Sequence, residues 1–223
     1  LHLCAVAGIE PVFVPVHYTA AGRPFAMAQA YAQVMEANPH AKAALVLSPD
    51  YYGTLGPVEE VACLAHEKGM LVLCDEAHGA AMNWVHPENS ALRKGADLVV
   101  QSAHKTLPVL TGGAYLHISK TADRILFENV QRALSLFAST SPSYLILQSL
   151  DMANKYINNS YKKLLQKTCK KTQALKSTLT QHGFTLVGSE PLKITIKTKP
   201  YGYEGKAFSS ILLQKNIVSE FYD

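Results

Sequence analysis

No run of 18 or more uncharged apolar residues occurs in this 223-residue chain, so no segment reads as a bilayer-spanning helix. The first ten residues lack the Lys/Arg-led start of a secretory signal, and the chain does not begin with Met. Cysteine is scarce. Cys4, Cys63, Cys74 and Cys169 stand far apart with no C-x-x-C pair, which argues against a disulfide framework or a zinc site. They read as buried thiols in a reducing cytoplasm, the expected location. Acidic residues are missing altogether from residues 152–189, where Lys155, Lys162, Lys163, Lys167, Lys170, Lys171 and Lys176 line up. No aromatic stacking platform accompanies these lysines, so they are read as a solvated helix face, with neither a nucleic-acid nor a membrane partner.

Apolar material is plentiful. Hydrophobic residues make up 48% and charged residues 17%, enough for a core and inconsistent with disorder. At roughly 150 residues per domain, the length predicts one large domain or one and a half. Charge is uneven: residues 1–150 carry 9 Lys/Arg against 12 Asp/Glu, and residues 151–223 carry 12 against 5.

Short β-branched apolar runs alternate with helical stretches. Residues 11–16, 44–48, 70–74, 97–100 and 114–118 read as strands, several of them almost wholly apolar, as strands covered on both faces must be. Between them, 25–37 and 57–68 read as helices, the second with Pro57 in its first turn, Glu59 and Glu60 at its positive end and Gly69 after it. The alternation predicts β-α-β units and a mostly parallel sheet, with an antiparallel strand near Ala114. Ligands in such sheets collect beyond the carboxyl ends of the strands, here residues 48–54, 75–78 and 101–105. Residues 143–182 form one long helix-rich stretch, interrupted near Asn158-Asn159. A half-exposed strand at 193–197 and a helix at 207–215 begin a second α/β unit that does not close a sheet before Asp223.

Asp75-Glu76-Ala77-His78 follows one strand, and Ser102-Ala103-His104-Lys105-Thr106 ends the next. A carboxylate at such a strand end is costly to bury unless a cation or hydrogen bonds meet it. An acid and a lysine at neighbouring strand tips suit pyridoxal phosphate, which needs an amine for its Schiff base and an acid to keep its ring nitrogen protonated. A structural Asp75–Lys105 ion pair is the plainer alternative. Ser102 and His104 offer donors suited to a phosphate dianion, and exposed N–H groups in Thr111-Gly112-Gly113 offer a further anion site.

These elements carry a resemblance. Asp75-Glu76-Ala77-His78-Gly79-Ala80, Ser90-Ala91-Leu92, residues 95–107 and 111–117, Thr140-Ser141-Pro142-Ser143-Tyr144, Ser149-Leu150-Asp151, residues 7–12 and Pro191-Leu192-Lys193 are similar to the bacterial-type ornithine/lysine/arginine decarboxylases. These are fold-type I pyridoxal-phosphate enzymes of the aspartate aminotransferase superfamily. The resemblance implies an α/β fold. Residues 1–145 would be a partial coenzyme-binding large domain with a mostly parallel sheet flanked by helices. Residues 146–223 would be a linking helix and an incomplete small domain.

The resemblance also implies roles. Lys105 carries the Schiff base, Asp75 pairs with the pyridine nitrogen, and Ala77 packs beneath the ring. Ser102 and His104 bind the phosphate, with His104 also placed for proton transfer, and His78 hydrogen-bonds the phenolic oxygen. Thr140 and Ser141 reach the phosphate of a neighbouring subunit, making a homodimer with shared sites. The activity implied is decarboxylation of arginine, lysine or ornithine to agmatine, cadaverine or putrescine, in polyamine biosynthesis.

The chain departs from the pattern at Gly112, where Gln is usual, at Ala81, where His is usual, and at Asp50, where Thr is usual. A phosphate cup and a ring-stacking histidine precede the matching segment in that family, and the rest of the small domain follows it. A piece of a longer protein, weakly active or inactive alone, is therefore expected. An α-oxoamine synthase-like reaction on the same scaffold and a non-catalytic truncated product remain as alternatives.

Overall fold

The computed structural model describes residues 2–18 and 24–222; the two chain ends and residues 19–23 lie outside the described residues. A short helix α1 (His2–Val6) leads to strands β1 (His17–Tyr18) and β2 (Pro24–Phe25), which pair antiparallel. The stretch 11–16, read above as a strand, joins no ladder and is mostly exposed. Pro11 and Pro15 each lack an N–H, so an apolar run there has little to offer a neighbouring strand.

Helix α2 (Ala28–Ala37) precedes the central sheet. The sheet has the order β3 (Ala43–Leu47), β4 (Leu71–Asp75), β5 (Leu98–Gln101) and β6 (Tyr115–Ile118), with β3, β4 and β5 parallel and β6 antiparallel. The four strands fall within two residues of the apolar runs that predicted them. Helix α3 (Val58–Glu67) crosses from β3 to β4. Its buried residues Val58, Val61, Ala62 and Ala65 follow the spacing of one helix face. They meet Val46, Val72, Cys74 and Val99 on one face of the sheet, which is the main core. Asp97 ties this layer together, accepting from Val72 N at 2.7 Å and facing His66 Nε2 at 2.9 Å.

After β4 come α4 (Met82–Val85) and a 3-10 turn at Pro87–Asn89; after β5 comes the one-turn helix α5 (Ala103–Thr106). The sequence reading missed α6 (Arg124–Phe137), whose side chains Leu126, Asn129, Val130 and Ala133 flank the other sheet face. Helix α7 (Tyr144–Tyr156) runs through a π-helical turn (Ile157–Tyr161) into α8 (Lys162–Gln181). The interruption expected at Asn158-Asn159 is this widened turn, and the helix continues beyond it. The turn brings Tyr161 inward, where it and Leu165 pack against Ala80, Ala81, Ala103 and Leu107 in a second core. Lys162, Lys163, Lys167, Lys170 and Lys171 are exposed on α8, whereas Lys176 turns inward and donates to Glu190 O at 2.6 Å.

Strands β7 (Leu186–Val187) and β8 (Thr195–Ile196) pair antiparallel before α9 (Gly205–Leu213). Only Thr195–Ile196 of the expected 193–197 strand joins that ladder. Of the cysteines, Cys74 is buried and Cys63 is exposed, which corrects the expectation of four buried thiols. No helix among the described residues is long and apolar enough to cross a membrane.

Candidate active site

Strands β4 and β5 are parallel, so Asp75 and Gln101 end at the same edge of the sheet. The turn after β4 closes with Gly79 N donating to Glu76 O at 2.8 Å. A Cβ at Gly79 would lie 2.4 Å from Glu76 Cγ, so only glycine lets the chain pass there. This turn presents His78. Helix α5 folds back directly after β5 and presents Lys105, whose Nζ lies 3.2 Å from His78 Nε2.

Both side chains line a cavity of about 440 Å3, bounded also by Thr106, Tyr156, Tyr161, Leu164, Glu190 and Lys193. That volume is within the range of small-molecule sites. Tyr161 donates to Thr106 O at 3.1 Å, pinning the end of α5 to the π turn. Thr106 Oγ1 is sealed from solvent without a hydrogen-bond partner among the described residues. Such an orphan is costly unless a ligand meets it. Ser102 precedes α5 and makes no side-chain cap to it, so its hydroxyl is not spent on the helix.

The sequence reading missed Lys193 as a site residue. Its Nζ lies 3.0 Å from His78 Nδ1, donates to Tyr51 O at 2.8 Å, and sits 5.1 Å from the Tyr51 ring centre. Tyr51 packs edge-on against His78 with ring centres 5.1 Å apart. Burial, then the charges of Lys193 and Lys105, pull the His78 pKa below its ordinary value against the pull of Glu220 and Asp75. The imidazole is therefore neutral at pH 7. Burial also lowers Lys193, opposed by Glu190, Glu220 and Asp50.

Asp75 is exposed, not buried, and its Oδ1 accepts from Ala77 N at 3.0 Å. Alternation on β4 sends Val72 and Cys74 into the core and turns Leu73 and Asp75 to the opposite face, beside Leu45 and Val100. No Asp75–Lys105 ion pair exists among the described residues, which removes the plainer alternative. Asp75 and Lys105 line different cavities, and His78 feels the charge of both. The buried carboxylate is instead Glu76, at 1% exposure. It accepts from Ala91 N at 2.9 Å and from Gln101 Nε2, and Gln101 Oε1 meets His117 Nε2 at 2.9 Å. Burial raises the Glu76 pKa against those two hydrogen bonds.

His104 Nδ1 donates to Gly113 O at 3.0 Å, leaving Nε2 uncommitted. The Gly113 N–H is spent on Leu110 O at 3.0 Å, so it is not the open anion donor expected of that turn. Thr140 and Ser141 are exposed between α6 and α7 and do not line the cavity.

Known proteins share this arrangement of chain. An uncharacterised protein, YaaO, of Bacillus subtilis is 36% identical over all of this chain and 48% of its own length. An arginine decarboxylase of the same organism is 34% identical over 75% of this chain and 36% of its own. The chain thus spans about half the length, or less, of these curated relatives. Among solved structures, a SepCysS–SepCysE N-terminal domain complex superposes with TM-score 0.65 at 17% identity, covering 97% of this chain and 62% of that one. The pyridoxamine–pyruvate aminotransferase of Mesorhizobium loti gives 0.53 at 17% identity, over 76% and 48%. The mostly parallel sheet flanked by helices is therefore the aminotransferase-like fold. Residues 1–220 match the major domain of the Orn/Lys/Arg decarboxylases, so the chain belongs to that family.

Proposed function

We propose that this chain carries the lysine-bearing half of a pyridoxal-phosphate site that decarboxylates a basic amino acid. One observation carries the reading: an amine and an imidazole meet at 3.2 Å in a ligand-sized cavity at the carboxyl ends of parallel strands. The coenzyme, when bound, supplies a protonated ring that takes up the electron pair left as CO2 departs.

The chain supplies the rest. Lys105 Nζ is the amine that holds the coenzyme. Asp75, with no ion pair among the described residues, would be the acid partner for the ring nitrogen, and Ala77, whose N–H steadies that carboxylate, would pack beneath the ring. The unspent Ser102 hydroxyl and the orphaned Thr106 Oγ1 fit phosphate oxygens. His78 offers a neutral imidazole to the phenolic oxygen. His104, with Nδ1 committed to Gly113 O, keeps Nε2 for the phosphate or for a proton. Glu220 at the cavity wall has the charge sign that a basic side chain needs. Thr140 and Ser141, exposed and off this cavity, serve the neighbouring subunit of a homodimer.

The test adds pyridoxal phosphate to the parent and to Lys105→Ala, reduces with borohydride and maps the modified peptide. A reducible adduct confined to Lys105 is expected, and an equal adduct in both proteins overturns the reading. CO2 release from free arginine, lysine or ornithine by the full-length protein, without acyl-CoA, separates a decarboxylase from an α-oxoamine synthase. Coenzyme retention by the 223-residue chain measures how far it stands alone. Each charge-assisted hydrogen bond supplied from elsewhere is worth about 1.5–3 kcal/mol, so weak retention is expected.

A further inference from the structure

Glu76 is the buried acid of the turn that carries Asp75 and His78, and no step of the proposed chemistry uses it. The ladder between β4 and β5 ends at Asp75 and Val100. Beyond it the two strands part, one into the turn that presents His78, the other into α5, which presents Lys105. Among the described residues, two hydrogen bonds join 76–81 to 101–107. One is His78 with Lys105 in the cavity; the other is buried, with Gln101 Nε2 donating to Glu76 Oε2. Glu76 Oε1 accepts from Ala91 N at 2.9 Å, and Gln101 Oε1 meets His117 Nε2 at 2.9 Å, so both partners of the buried bond are pinned. The stem of Glu76 bears on the turn itself. A Cβ at Gly79 would lie 2.4 Å from its Cγ and 3.1 Å from its Cδ, so the backbone just after His78 rests on it. Ala80 and Ala81 also pack with Ala103 and Leu107, but apolar contacts have no preferred direction. A hydrogen bond does: it holds its partners in a narrow range of distance and weakens steeply when bent.

We propose that Glu76 is a positioning residue. Its stem supports the turn that carries His78, its carboxylate holds the end of β5 from which α5 starts, and together they set the 3.2 Å approach of His78 to Lys105. Among the described residues Glu76 forms no hydrogen bond to either side chain; it acts on them through Gly79 and Gln101. This inference rests on His78 and Lys105 forming the site, but its tests read the protein without coenzyme.

Nitrogen NMR of the 15N-histidine protein reads the contact directly. Lys105→Met is expected to move the His78 ring-nitrogen signals in the parent, and equally in a Glu76→Gln background, where a Gln101 amide turned over keeps the tie. In Glu76→Leu and Gln101→Leu backgrounds that response is expected to fall by about half or more, a coupling that lost stability alone does not produce in folded protein. A full response in both folded leucine variants, or none in the parent, overturns the proposal. Amide hydrogen exchange checks the tie from each strand. Gln101→Leu is expected to speed exchange in 77–81 about tenfold, and Glu76→Leu to do the same in 102–106, with α3 within about twofold of the parent. Acceleration confined to the altered strand, or equal in α3, also overturns the proposal. If Glu76→Leu does not fold, Gln101→Leu decides. Should these results come out as expected while no coenzyme adduct forms on Lys105, this proposal stands and the functional reading falls; an adduct on Lys105 with a full response in the leucine variants does the reverse.

Discussion

Replacing Glu76 by leucine and, separately, by glutamine separates the cost of an unpaired donor from the cost of a buried charge. Glu76 accepts from Ala91 N and Gln101 Nε2, and both bonds are buried. Leucine removes both acceptors, and each stranded donor costs about 1–3 kcal/mol. Leucine also relieves the burial of a carboxyl group, so a net loss of about 2–4 kcal/mol is expected. Glutamine is different. If Gln101 turns its amide over, its oxygen accepts from the new amide and its nitrogen faces His117 Nε2, which then takes the other tautomer. The chain of bonds survives, and the expected loss at low pH is about 1 kcal/mol or less.

The pH dependence has a definite sign. Burial raises the folded pKa of Glu76 above its ordinary 4.5. The group's contribution is then fully present below the unfolded value and is lost as pH rises through the folded one. Urea unfolding of the parent and Glu76→Gln between pH 4 and pH 7 checks this. Glu76→Gln is expected to gain on the parent as pH rises. A parent–glutamine difference that does not change with pH, or a leucine variant as stable as the parent, refutes the reasoning.

Three further outcomes follow from the geometry. Tyr161→Phe keeps the ring contacts to Trp84 and Tyr156, at 5.7 and 5.8 Å between centres, but loses the bond to Thr106 O. It is expected to cost about 1 kcal/mol in urea unfolding and to loosen Lys105, read as faster proteolysis after that residue. Gly188→Ala is expected to cost at least about 2 kcal/mol in the same assay, because its φ is +80° and a Cβ would sit 2.5 Å from Tyr52 O. Iodoacetamide at pH 8 is expected to label exposed Cys63 and spare Cys74, whose thiol burial pushes up to about 12; labelling of Cys74 in the folded protein would contradict its burial.

Much of the central sheet was legible. Its strands are short apolar runs bounded by polar turns, and local pattern is what sets such elements. The strand at 11–16 was misread because an apolar run shows the tendency to be buried, not the presence of a strand to pair with. Helix α6 went unread although its outward polar face and N-cap Asp123, which accepts from Ile125 N, were available signals. At the site, the motif around Asp75 and Lys105 located the chemistry, but which of two adjacent carboxylates is buried depends on strand parity against the core. That parity puts Glu76 inside and Asp75 outside.

The sequence alone determined the α/β alternation, the antiparallel strand after Ala114 and the strand ends that bear Asp75, His78 and Lys105, because each depends on neighbours within a few residues. Only the tertiary structure decided that Lys193, 115 positions after His78, closes on the same imidazole. It also decided that Tyr161 anchors α5, and that Asp75 and Lys105 do not pair. Such contacts arise when separate elements pack into one small volume, and no periodicity or spacing along the chain records which distant side chains that packing brings face to face.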